Sequence, residues 1–473
     1  MNMVINKEAM TLKQILDTQR RDFSANPMPS LTIRIAQLKK LKTALLDNKT
    51  ALQNALCADF GQRSLDDTLI ADILPCINNI NYTIKHLKKW MRPSRRHTGL
   101  LFMPAKLAVH YQPLGVIGII SPWNFPVMLS IGPLITAIAA GNRVMLKFSE
   151  FTPATNAQLT KILNSVFDSQ YVACIQGEAD IAAEFSTLPF DHLLYTGSGT
   201  VGQKVMEAAA KNLTPVTLEL GGKSPVIIAE DMPIDMAVER LIYGKCLNAG
   251  QICVAPDYVL VPKHKQQAFI DAYKHQFKKM YGKVKHNKDY TSIVNTRHFE
   301  RLQALLIDAQ AKGAHVESAN DEEIDSDSRK IPTQLITQVS NEMDISQDEI
   351  FGPLLPIMTY ESLNEAIQYV NDHPRPLALY LMSLKKSIQQ EVLTKTHSGG
   401  VCINETVFHV AVDDAPFGGI GPSGMGHYHG KEGFLTFSHA KTVLSRGKIN
   451  TGKFVHPPYG GKMGALILKI FLR

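Results

Sequence analysis

The sequence has few cysteines, and none of them form a close pair. Its 473 residues contain six cysteines, and no two of these are separated by only two residues. In so long a chain, this absence argues against both a disulfide framework and a cysteine-based zinc site. We therefore expect a reducing, cytoplasmic setting and no bound metal. The six cysteines are Cys57, Cys76, Cys174, Cys246, Cys253 and Cys402.

Long apolar runs are absent as well. Residues 1–16 are polar and mixed in charge, and no apolar run approaches the roughly 20 residues needed to span a bilayer. Residues 465–473 form a short apolar tail that carries two cations. We expect this tail to dock on its own chain or on a partner subunit. An interfacial membrane anchor is the less favoured alternative, because the segment is short.

Charge of one sign is not in great excess. The formal net charge of +7 is mild for this length, and 45% hydrophobic with 20% charged residues is typical of globular proteins. Basic clusters at residues 39–42 and 88–96 are interpreted as solvated helix faces, because no aromatic-rich module accompanies them. We therefore expect no nucleic-acid partner. The length predicts two or three domains.

The hydrophobic pattern changes from helical to strand-like near residue 107. Residues 31–60 and 64–91 have apolar side chains at helical spacings, whereas short apolar runs then alternate with helical segments. This alternation predicts a parallel, doubly wound α/β sheet, with a second α/β unit beginning near residue 225. The predicted strands of the first unit are 116–120, 143–147, 171–176, 192–196 and 215–220.

Two motifs offer a nucleophile and a base. The segment GQICVAP, residues 250–256, places Cys253 in a short loop after a predicted helix. The segment LELGGKSP, residues 218–225, places Glu219 at the end of a predicted strand before two glycines. A thiol and a general base on neighbouring elements are what acyl chemistry through a covalent thioester requires. Cys246, which precedes this loop, is interpreted as a core residue.

Residues 197–202, GSGTVG, form a GxGxxG motif between a predicted strand and a predicted helix. Glycines at such a turn let the backbone approach a pyrophosphate at the helix N-terminus. Gly197, Ser198 and Gly202 are therefore candidate dinucleotide-binding residues. The standard fingerprint expects an acid about 20 residues further on, which would make Glu219 the ribose ligand.

We assign the adenosine ribose differently, to Lys147 and Glu150. Both follow the predicted strand at 143–147, at the sheet edge where nucleotides bind. Their side chains offer a cation and a carboxylate to the ribose hydroxyls. Glu219 is then free for chemistry.

Three further turns are unusual. Asn124 lies between two prolines and two aromatic residues in SPWNFP, residues 121–126, where its amide is placed to reach a developing oxyanion. Glu349 and Phe351, in EIFGP, offer a carboxylate for a ribose and a ring for nicotinamide. Residues 416–426 are so rich in glycine that they must approach another backbone or line a cleft. The histidines that follow, at 427 and 429, are interpreted as structural.

Together these segments resemble the NAD(P)-dependent aldehyde dehydrogenase superfamily. PWNFP, LELGGKSP, GQICVAP, EIFGP and PFGG match it in order and wording over residues 105–440. The wording around residues 253–258 and 424–439 is similar to the class 3 branch. That branch includes fatty and aromatic aldehyde dehydrogenases, with bacterial coniferyl aldehyde dehydrogenases as close relatives. The resemblance implies oxidation of an aromatic or a medium- or long-chain aliphatic aldehyde.

The resemblance also implies a role for each residue. Cys253 attacks the aldehyde, Asn124 and the Cys253 backbone amide hold the oxyanion, and Glu219 activates water to release the acid. Lys147 and Glu150 would hold the adenosine ribose of NAD. At the nicotinamide end, the candidates are Glu349 and Phe351, and the turn of Gly197, Ser198 and Gly202 would border the dinucleotide. Phe148 replaces the family's usual proline, which leaves NADP open as an alternative cofactor.

The implied architecture is an α/β aldehyde dehydrogenase fold with a Rossmann-like cofactor domain, an α/β catalytic domain and a small bridging β element. A homodimer is the family expectation. Two alternatives remain open: a CoA-acylating relative, which would not need Glu219, and a non-catalytic member of the fold. The expected ranges are 1–104 and 119–223 (rejoined by about 413–435) for the cofactor domain, 224–412 for the catalytic domain, 105–118 and 436–450 for the bridge, and 451–473 for the tail.

Overall fold

The computed structural model describes residues 10–472, so part of the polar N-terminal segment and Arg473 lie outside it. Its strands form three sheets. In chain order the strands are β1 Ser94–Arg96, β2 Lys106–Pro113, β3 Val116–Ile120, β4 Arg143–Lys147, β5 Val172–Ile175, β6 His192–Gly197, β7 Val216–Leu220, β8 Pro225–Ile228, β9 Tyr258–Pro262, β10 His315–Ser318, β11 Gln334–Thr337, β12 Leu354–Tyr360, β13 Ala378–Met382, β14 Gly400–Ile403, β15 Gly424–Met425 and β16 Ser438–Ser445.

Helices cover both faces of the two larger sheets. They are α1 Leu12–Ala25, α2 Leu31–Asp47, α3 Lys49–Phe60, α4 Leu65–Thr68, α5 Leu74–Trp90, α6 Met128–Ala140, α7 Pro153–Val166, α8 Ala179–Ser186, α9 Gly199–Ala210, α10 Ile234–Cys246, α11 Gln266–Tyr281, α12 Thr296–Ala311, α13 Asp344–Gln347, α14 Leu363–Asn371, α15 Lys386–Lys395, α16 Gly430–Thr436 and α17 Lys462–Phe471. A π-helical segment, Leu69–Ile73, joins α4 to α5.

The first large sheet has the strand order β15-β7-β6-β3-β4-β5, and all of its strands except β15 are parallel. Helices α2, α3, α5, α6 and α7 pack on one face, and α1, α8 and α9 pack on the other. Strands β3 and β4 are buried along their whole length, as expected for parallel strands covered on both faces. The predicted doubly wound sheet is confirmed.

The second large sheet has the order β10-β11-β12-β9-β8-β13-β14, in which only the edge strand β10 runs antiparallel to its neighbour. Its main core lies under α10, α11 and α12, and a smaller core lies under α14 and α15. The chain crosses from the first large sheet to the second through Gly221 and Gly222, directly after β7. This crossing brings the loop that contains Cys253, which precedes β9 of the second sheet, next to the strand ends of the first sheet.

A small antiparallel sheet, β1-β2-β16, joins distant parts of the chain. Strand β16 pairs with β2 over eight residues, from Ser438 opposite Pro113 to Ser445 opposite Lys106. The expected bridge boundary at residue 118 differs from the sheet assignment, because β3 already pairs with β4 and β6 in the first large sheet. Strand β1 was not expected in this element.

The C-terminal helix α17 leaves its apolar side chains in solvent. Leu466, Leu468 and Ile470 are each about half exposed, at 51%, 53% and 57%. The helix contacts the segment Thr451–Val455, but this contact covers only part of its apolar surface, so where the rest of that surface docks stays a prediction. Between residues 10 and 472, we find no helix with the length and apolar content that crossing a membrane requires.

Candidate active site

The site is built where parallel strands of the first large sheet end. Strands β3, β4, β6 and β7 run in the same direction, so their carboxyl ends meet at one edge of the sheet. Asn124 follows β3, Lys147 ends β4, Gly197 ends β6, and Glu219 is the penultimate residue of β7. Residues distant in the sequence therefore share one edge, which is where open α/β sheets bind ligands.

Cys253 lies in a turn held by the buried side chain of Gln251. The Gln251 amide donates hydrogen bonds to the carbonyls of Asn248, at 2.9 Å, and Ser292, at 3.1 Å. Its oxygen accepts one from the amide of Val294 at 3.0 Å. Because Gln251 is 0% exposed, these bonds form without competition from water. They fix the backbone two residues before the thiol.

Strained backbone precedes the nucleophile. Asn248, Ala249 and Gly250 have φ angles of +50°, +52° and +72°, in the left-handed region that is unfavourable for residues with a Cβ. A Cβ at Gly250 would lie 2.5 Å from the carbonyl oxygen of Gly352. This turn is therefore packed directly against the EIFGP segment. Such local strain persists where the surrounding packing over-determines a conformation, as at many functional sites.

The side-chain amide of Asn124 points at the nucleophile loop. Its Nδ2 donates to the carbonyl of Gln251 at 3.1 Å, so one of its two N–H groups is engaged there. The backbone carbonyl of Asn124 accepts hydrogen bonds from Asn248 Nδ2 at 3.1 Å and from Arg63 Nη1 at 2.7 Å. Asn124 is therefore held from both its backbone and its side chain, beside Cys253.

Glu219 is buried, and its carboxylate makes no hydrogen bond within residues 10–472. Its side chain is 4% exposed, and both carboxylate oxygens lack a partner among the described residues. Burial therefore raises the pKa of Glu219 well above its usual range. A carboxyl group with a raised pKa is suited to general base work near neutral pH.

The glycine-rich segment closes over Glu219. Strand β15 pairs Gly424 with Glu219, and the amide of Leu220 donates to the Ser423 carbonyl at 3.1 Å. A Cβ at Gly424 would come within 2.1 Å of the Leu218 carbonyl oxygen, so only glycine fits there. The expectation that this segment approaches another backbone is confirmed. His429, which follows it, is buried and stacks on Phe417 at 5.3 Å.

The thiol of Cys253 is protonated at rest. Burial, with smaller contributions from the nearby carboxylates of Glu349 and Glu219, raises its pKa to about 12. Glu349 itself has a pKa of about 8, raised by burial and then by Asp257. The resting site therefore has a protonated thiol and two nearby carboxyl groups that are reluctant to ionise.

These charges predict how the thiol responds to pH. Above pH 8, where Glu349 is ionised, its negative charge disfavours the thiolate. Glu349→Gln should therefore lower the pKa of Cys253 and speed its alkylation by iodoacetamide at pH 9 by about 3–10-fold. Mass spectrometry of the Cys253 peptide in cofactor-free protein measures this rate. Exposed Glu361→Gln is the control and should leave it unchanged, while an equal rate in both variants would contradict the electrostatic account.

The two residues assigned to the adenosine ribose lie side by side. Lys147 Nζ is 3.9 Å from a carboxylate oxygen of Glu150 and donates to the Phe148 carbonyl at 2.7 Å. Lys147 is almost fully buried, and burial lowers the pKa of its ammonium group. The side chain of Glu150 remains partly exposed at the mouth of the site.

The three glycines of the GxGxxG turn have different surroundings, so a side chain would meet a different obstacle at each. A Cβ at Gly197 would lie 2.2 Å from Tyr195 Oη, and one at Gly202 would lie 2.7 Å from Leu220 Cδ2. Only Gly199 has open space around its Cα. The small size of Gly197 and Gly202 therefore serves internal packing as well, and the expectation that the glycines of this turn admit a pyrophosphate stays a prediction.

The N-terminus of α9 nevertheless fits a dinucleotide. Ser198 is its exposed N-cap residue, and the Ser198 side chain makes no capping hydrogen bond. No side chain therefore caps the first amides of this 12-residue helix, and the space beside Gly199, its first residue, is open. Free amides and the positive end of a helix dipole suit a pyrophosphate. With the buried ammonium of Lys147 on the same edge, the residues present fit NAD or NADP.

Glu349 and Phe351 reach the site from the second sheet. A Cβ at Gly221 would lie 2.1 Å from Glu349 Oε2, so the carboxylate rests against the end of β7. Phe351 has a φ of +51°, and its ring lies 5.4 Å from Trp123 in an edge-to-face contact. A positive φ on a bulky residue is strained and marks a position that is held in place by its surroundings.

Several residues around the site were not foreseen. Gln251 and Asn248 fix the nucleophile turn, and Arg63 binds the Asn124 carbonyl. Arg63 forms a fully buried ion pair with Asp72. One signal was available for Asp72, which is a lone acid in the run Leu69-Ile70-Ala71-Asp72-Ile73-Leu74. Nothing in the sequence marked the others, because their partners are distant along the chain.

Comparison with known proteins agrees with this geometry. A family model described as "Aldehyde dehydrogenase family" matches residues 4–443. The chain is 51% identical over 467 residues to the probable coniferyl aldehyde dehydrogenase of Pseudomonas aeruginosa, covering 99% of this chain and 98% of that protein. The substrate-bound structure of Staphylococcus aureus AldH is similar with a TM-score of 0.93 and 38% identity, covering 98% of this chain and 100% of that one.

A cofactor complex is also among the similar structures. Betaine aldehyde dehydrogenase (betB) from Staphylococcus aureus, solved with NAD+, has a TM-score of 0.84 and 26% identity, covering 95% of this chain and 89% of that one. The chain therefore belongs to the aldehyde dehydrogenase family. It is an oxidoreductase that oxidises an aldehyde with NAD or NADP, and the predicted fold class, activity and cofactor are confirmed.

Proposed function

We propose that Cys253 is the nucleophile, Glu219 the general base and Asn124 the oxyanion donor of a hydrolytic aldehyde dehydrogenase. The observation that supports this assignment is that the three side chains lie close together in the structure. Asn124 contacts the Cys253 loop directly, and Glu219 is close enough for its charge to raise the pKa of the thiol. The three groups supply the minimum set for acyl chemistry through a thioester.

In the first half of the reaction, the Cys253 thiol loses its proton to solvent water. The Sγ thiolate then attacks the carbonyl carbon, and the π electrons of the carbonyl move to its oxygen. The free N–H of Asn124 and the backbone N–H of Cys253 stabilise that oxyanion. Bound NAD(P)+ supplies the hydride acceptor. When the carbonyl re-forms, hydride leaves the carbon and a thioester remains on Cys253.

In the second half, Glu219 removes a proton from water, and the resulting hydroxyl attacks the thioester carbonyl. The same donors hold the second oxyanion. Collapse breaks the carbon–sulfur bond, releases the carboxylic acid and returns Cys253 as the free thiolate. The presence of Glu219 favours water as acceptor over CoA, because transfer to a thiol does not require this base.

We assign the cofactor contacts to residues on the same edge. Lys147 and Glu150 hold the adenosine ribose, Ser198 and the turn at Gly197 to Gly202 border the pyrophosphate, and Glu349 with Phe351 holds the nicotinamide end. Glu150 favours NAD, because its carboxylate repels the 2′-phosphate of NADP.

The substrate we propose is an aromatic aldehyde of the coniferyl type. The similarity to the Pseudomonas aeruginosa protein, over nearly the full length of both chains, supports this choice. A stacked pair of rings, Tyr243 and Phe408 with centroids 5.9 Å apart, also supports it. Phe408 is 49% exposed and therefore offers a flat apolar face to a planar substrate.

We also infer a homodimer with the three domains given above, working in the cytoplasm. The outer edge of β16, which no strand of the described chain pairs, supports pairing with a second subunit. The free cysteines support a reducing compartment. Sedimentation of the purified protein tests the assembly.

Reduced-cofactor formation by the purified protein tests the proposed function. The assay uses NAD+ or NADP+ without CoA, and a panel of coniferyl aldehyde, acetaldehyde and medium- and long-chain aliphatic aldehydes. We expect oxidation of coniferyl aldehyde to the corresponding carboxylic acid, with kcat/KM at least about tenfold higher for coniferyl aldehyde than for acetaldehyde. A preference for a long-chain aldehyde would overturn the substrate proposal. Turnover that begins only on adding CoA would overturn the hydrolytic one.

A further inference from the structure

A buried ion pair lies directly beneath Asn124. Arg63 Nη2 is 2.7 Å from Asp72 Oδ2, and both side chains are fully buried. Removing two charges from water is costly, and apolar side chains of similar volume would fill the same space without that cost. The pair therefore calls for an explanation beyond packing.

Arg63 binds the backbone of the oxyanion asparagine. Its second guanidinium nitrogen, Nη1, donates to the Asn124 carbonyl at 2.7 Å. The rings of Phe60 and Phe125 lie 4.8 Å and 5.0 Å from the guanidinium carbon, so the group is held by aromatic contacts as well. Arg63 thus joins Asp72 to the Asn124 peptide in a fixed geometry.

Asp72 binds the other side of the same turn. Its Oδ1 accepts hydrogen bonds from the amides of Val127, at 3.1 Å, and Met128, at 3.0 Å. These amides begin α6, so Asp72 caps that helix from a distant element. Asp72 is part of the π-helical segment Leu69–Ile73, a geometry that recurs at functional sites.

We propose that the Arg63–Asp72 pair is a positioning device that sets the orientation of the Asn124 amide toward the reacting carbonyl. The pair binds the carbonyl at Asn124 and the amides at Val127 and Met128, so the intervening turn is restrained at both ends. The inference rests on the proposed role of Asn124. Neither charged residue contacts the substrate in this account.

The physical basis is the sensitivity of an oxyanion donor to its placement. Losing such a donor typically lowers kcat by about 10²–10³-fold, and a misplacement of about 1 Å costs about 10²-fold. If the Arg63 contact is lost, the Asn124 carbonyl keeps only its hydrogen bond from Asn248, so the peptide is less restrained and its side chain is less well aimed at the oxyanion. Because the oxyanion forms only during reaction, KM for the aldehyde should change little.

A double-mutant cycle on the purified holoenzyme tests this coupling. The variants are Arg63→Met, Asn124→Ala and the double variant, assayed with NAD+ and coniferyl aldehyde. We expect Arg63→Met to lower kcat and kcat/KM equally, by about 10–100-fold, and the double variant to have the kcat of Asn124→Ala alone. Arg63→Lys, which keeps the charge, should recover part of the loss.

Arg143→Met is the matched control. Arg143 is also buried, and it pairs with Asp22 at 2.6 Å, but its side-chain hydrogen bonds go to Asp22, Asn26 and Gly141 rather than to Asn124. Its loss should lower the melting temperature and leave kcat within about twofold. If Arg63→Met does not fold, Asp72→Asn, which nearly preserves volume, replaces it in the cycle.

The outcomes separate the two proposals. Additive losses in the cycle, or an unchanged kcat in Arg63→Met, would overturn the positioning role while leaving Asn124 as the oxyanion donor. An Asn124→Ala variant with full kcat would overturn the role of Asn124 and the positioning role together. Absence of aldehyde turnover in the unmodified enzyme would overturn the proposed function itself.

Discussion

Cys253→Ala will abolish aldehyde oxidation. Without the thiol no covalent intermediate forms, so we expect kcat to fall by about 10⁴-fold or more. The fold should be retained, because alanine is smaller than cysteine and Cys253 lies in a loop, partly buried at the edge of the core. The measurement is reduced-cofactor formation with coniferyl aldehyde at saturating NAD+, together with the thermal shift that NAD+ produces in each protein.

Cys246→Ala is the control for this prediction. Cys246 belongs to the same part of the chain, at the end of α10, but it is buried in the core with Tyr273 Oη 3.6 Å away. Its removal should leave kcat within a few-fold and lower stability by about 1–2 kcal/mol. Residual turnover of Cys253→Ala at a tenth of the normal rate would be incompatible with Cys253 as the nucleophile.

Glu219→Gln should separate the two halves of the reaction. Glutamine has nearly the same shape but cannot accept a proton from water, so hydrolysis of the thioester slows while acylation continues. Removing the charge of Glu219 also lowers the pKa of the Cys253 thiol, which favours acylation. We expect a burst of about one reduced cofactor per active site, followed by a steady rate lowered by about 10²–10⁴-fold.

Rapid mixing measures the burst, and mass spectrometry of the Cys253 peptide detects the accumulated thioester. The double variant Cys253→Ala/Glu219→Gln is the control and should show neither. The slow phase of Glu219→Gln should accelerate at high pH, where hydroxide replaces the missing base. If the burst disappears together with the steady rate, Glu219 is needed before or during acylation. The proposal that Glu219 acts only in activating water would then be incorrect.

The glycine-rich turn illustrates how residues predicted to admit a ligand can also be required by internal packing. The GxGxxG pattern correctly indicated a strand–turn–helix unit at the cofactor edge. The expected reason was ligand access for the whole turn, yet Gly197 is required by Tyr195 and Gly202 by Leu220. Only Gly199 faces open space. The pattern in the sequence does not say which neighbour excludes a Cβ, since that neighbour is placed by sheet packing.

The tail is a case in which the sequence left several destinations open. An apolar segment with two cations predicts burial against its own chain or a partner subunit, with a membrane surface as the less favoured alternative. The structure leaves Leu466, Leu468 and Ile470 half exposed, so contacts with its own chain cover only part of this surface. Sequence patterns report how apolar a helix face is, but which surface lies opposite depends on the whole fold.

By itself, the sequence determined the chemistry of this protein and the order of its elements. The apolar runs and helical spacings specify a doubly wound sheet, and short motifs name a thiol, a carboxylate and an amide in loops at strand ends, because these depend on local pattern. The tertiary structure alone decided how those groups are held. Arg63, Asp72 and Gln251 act on partners that are far away in the chain, and buried hydrogen bonds of this kind exist only once the sheets and helices have packed.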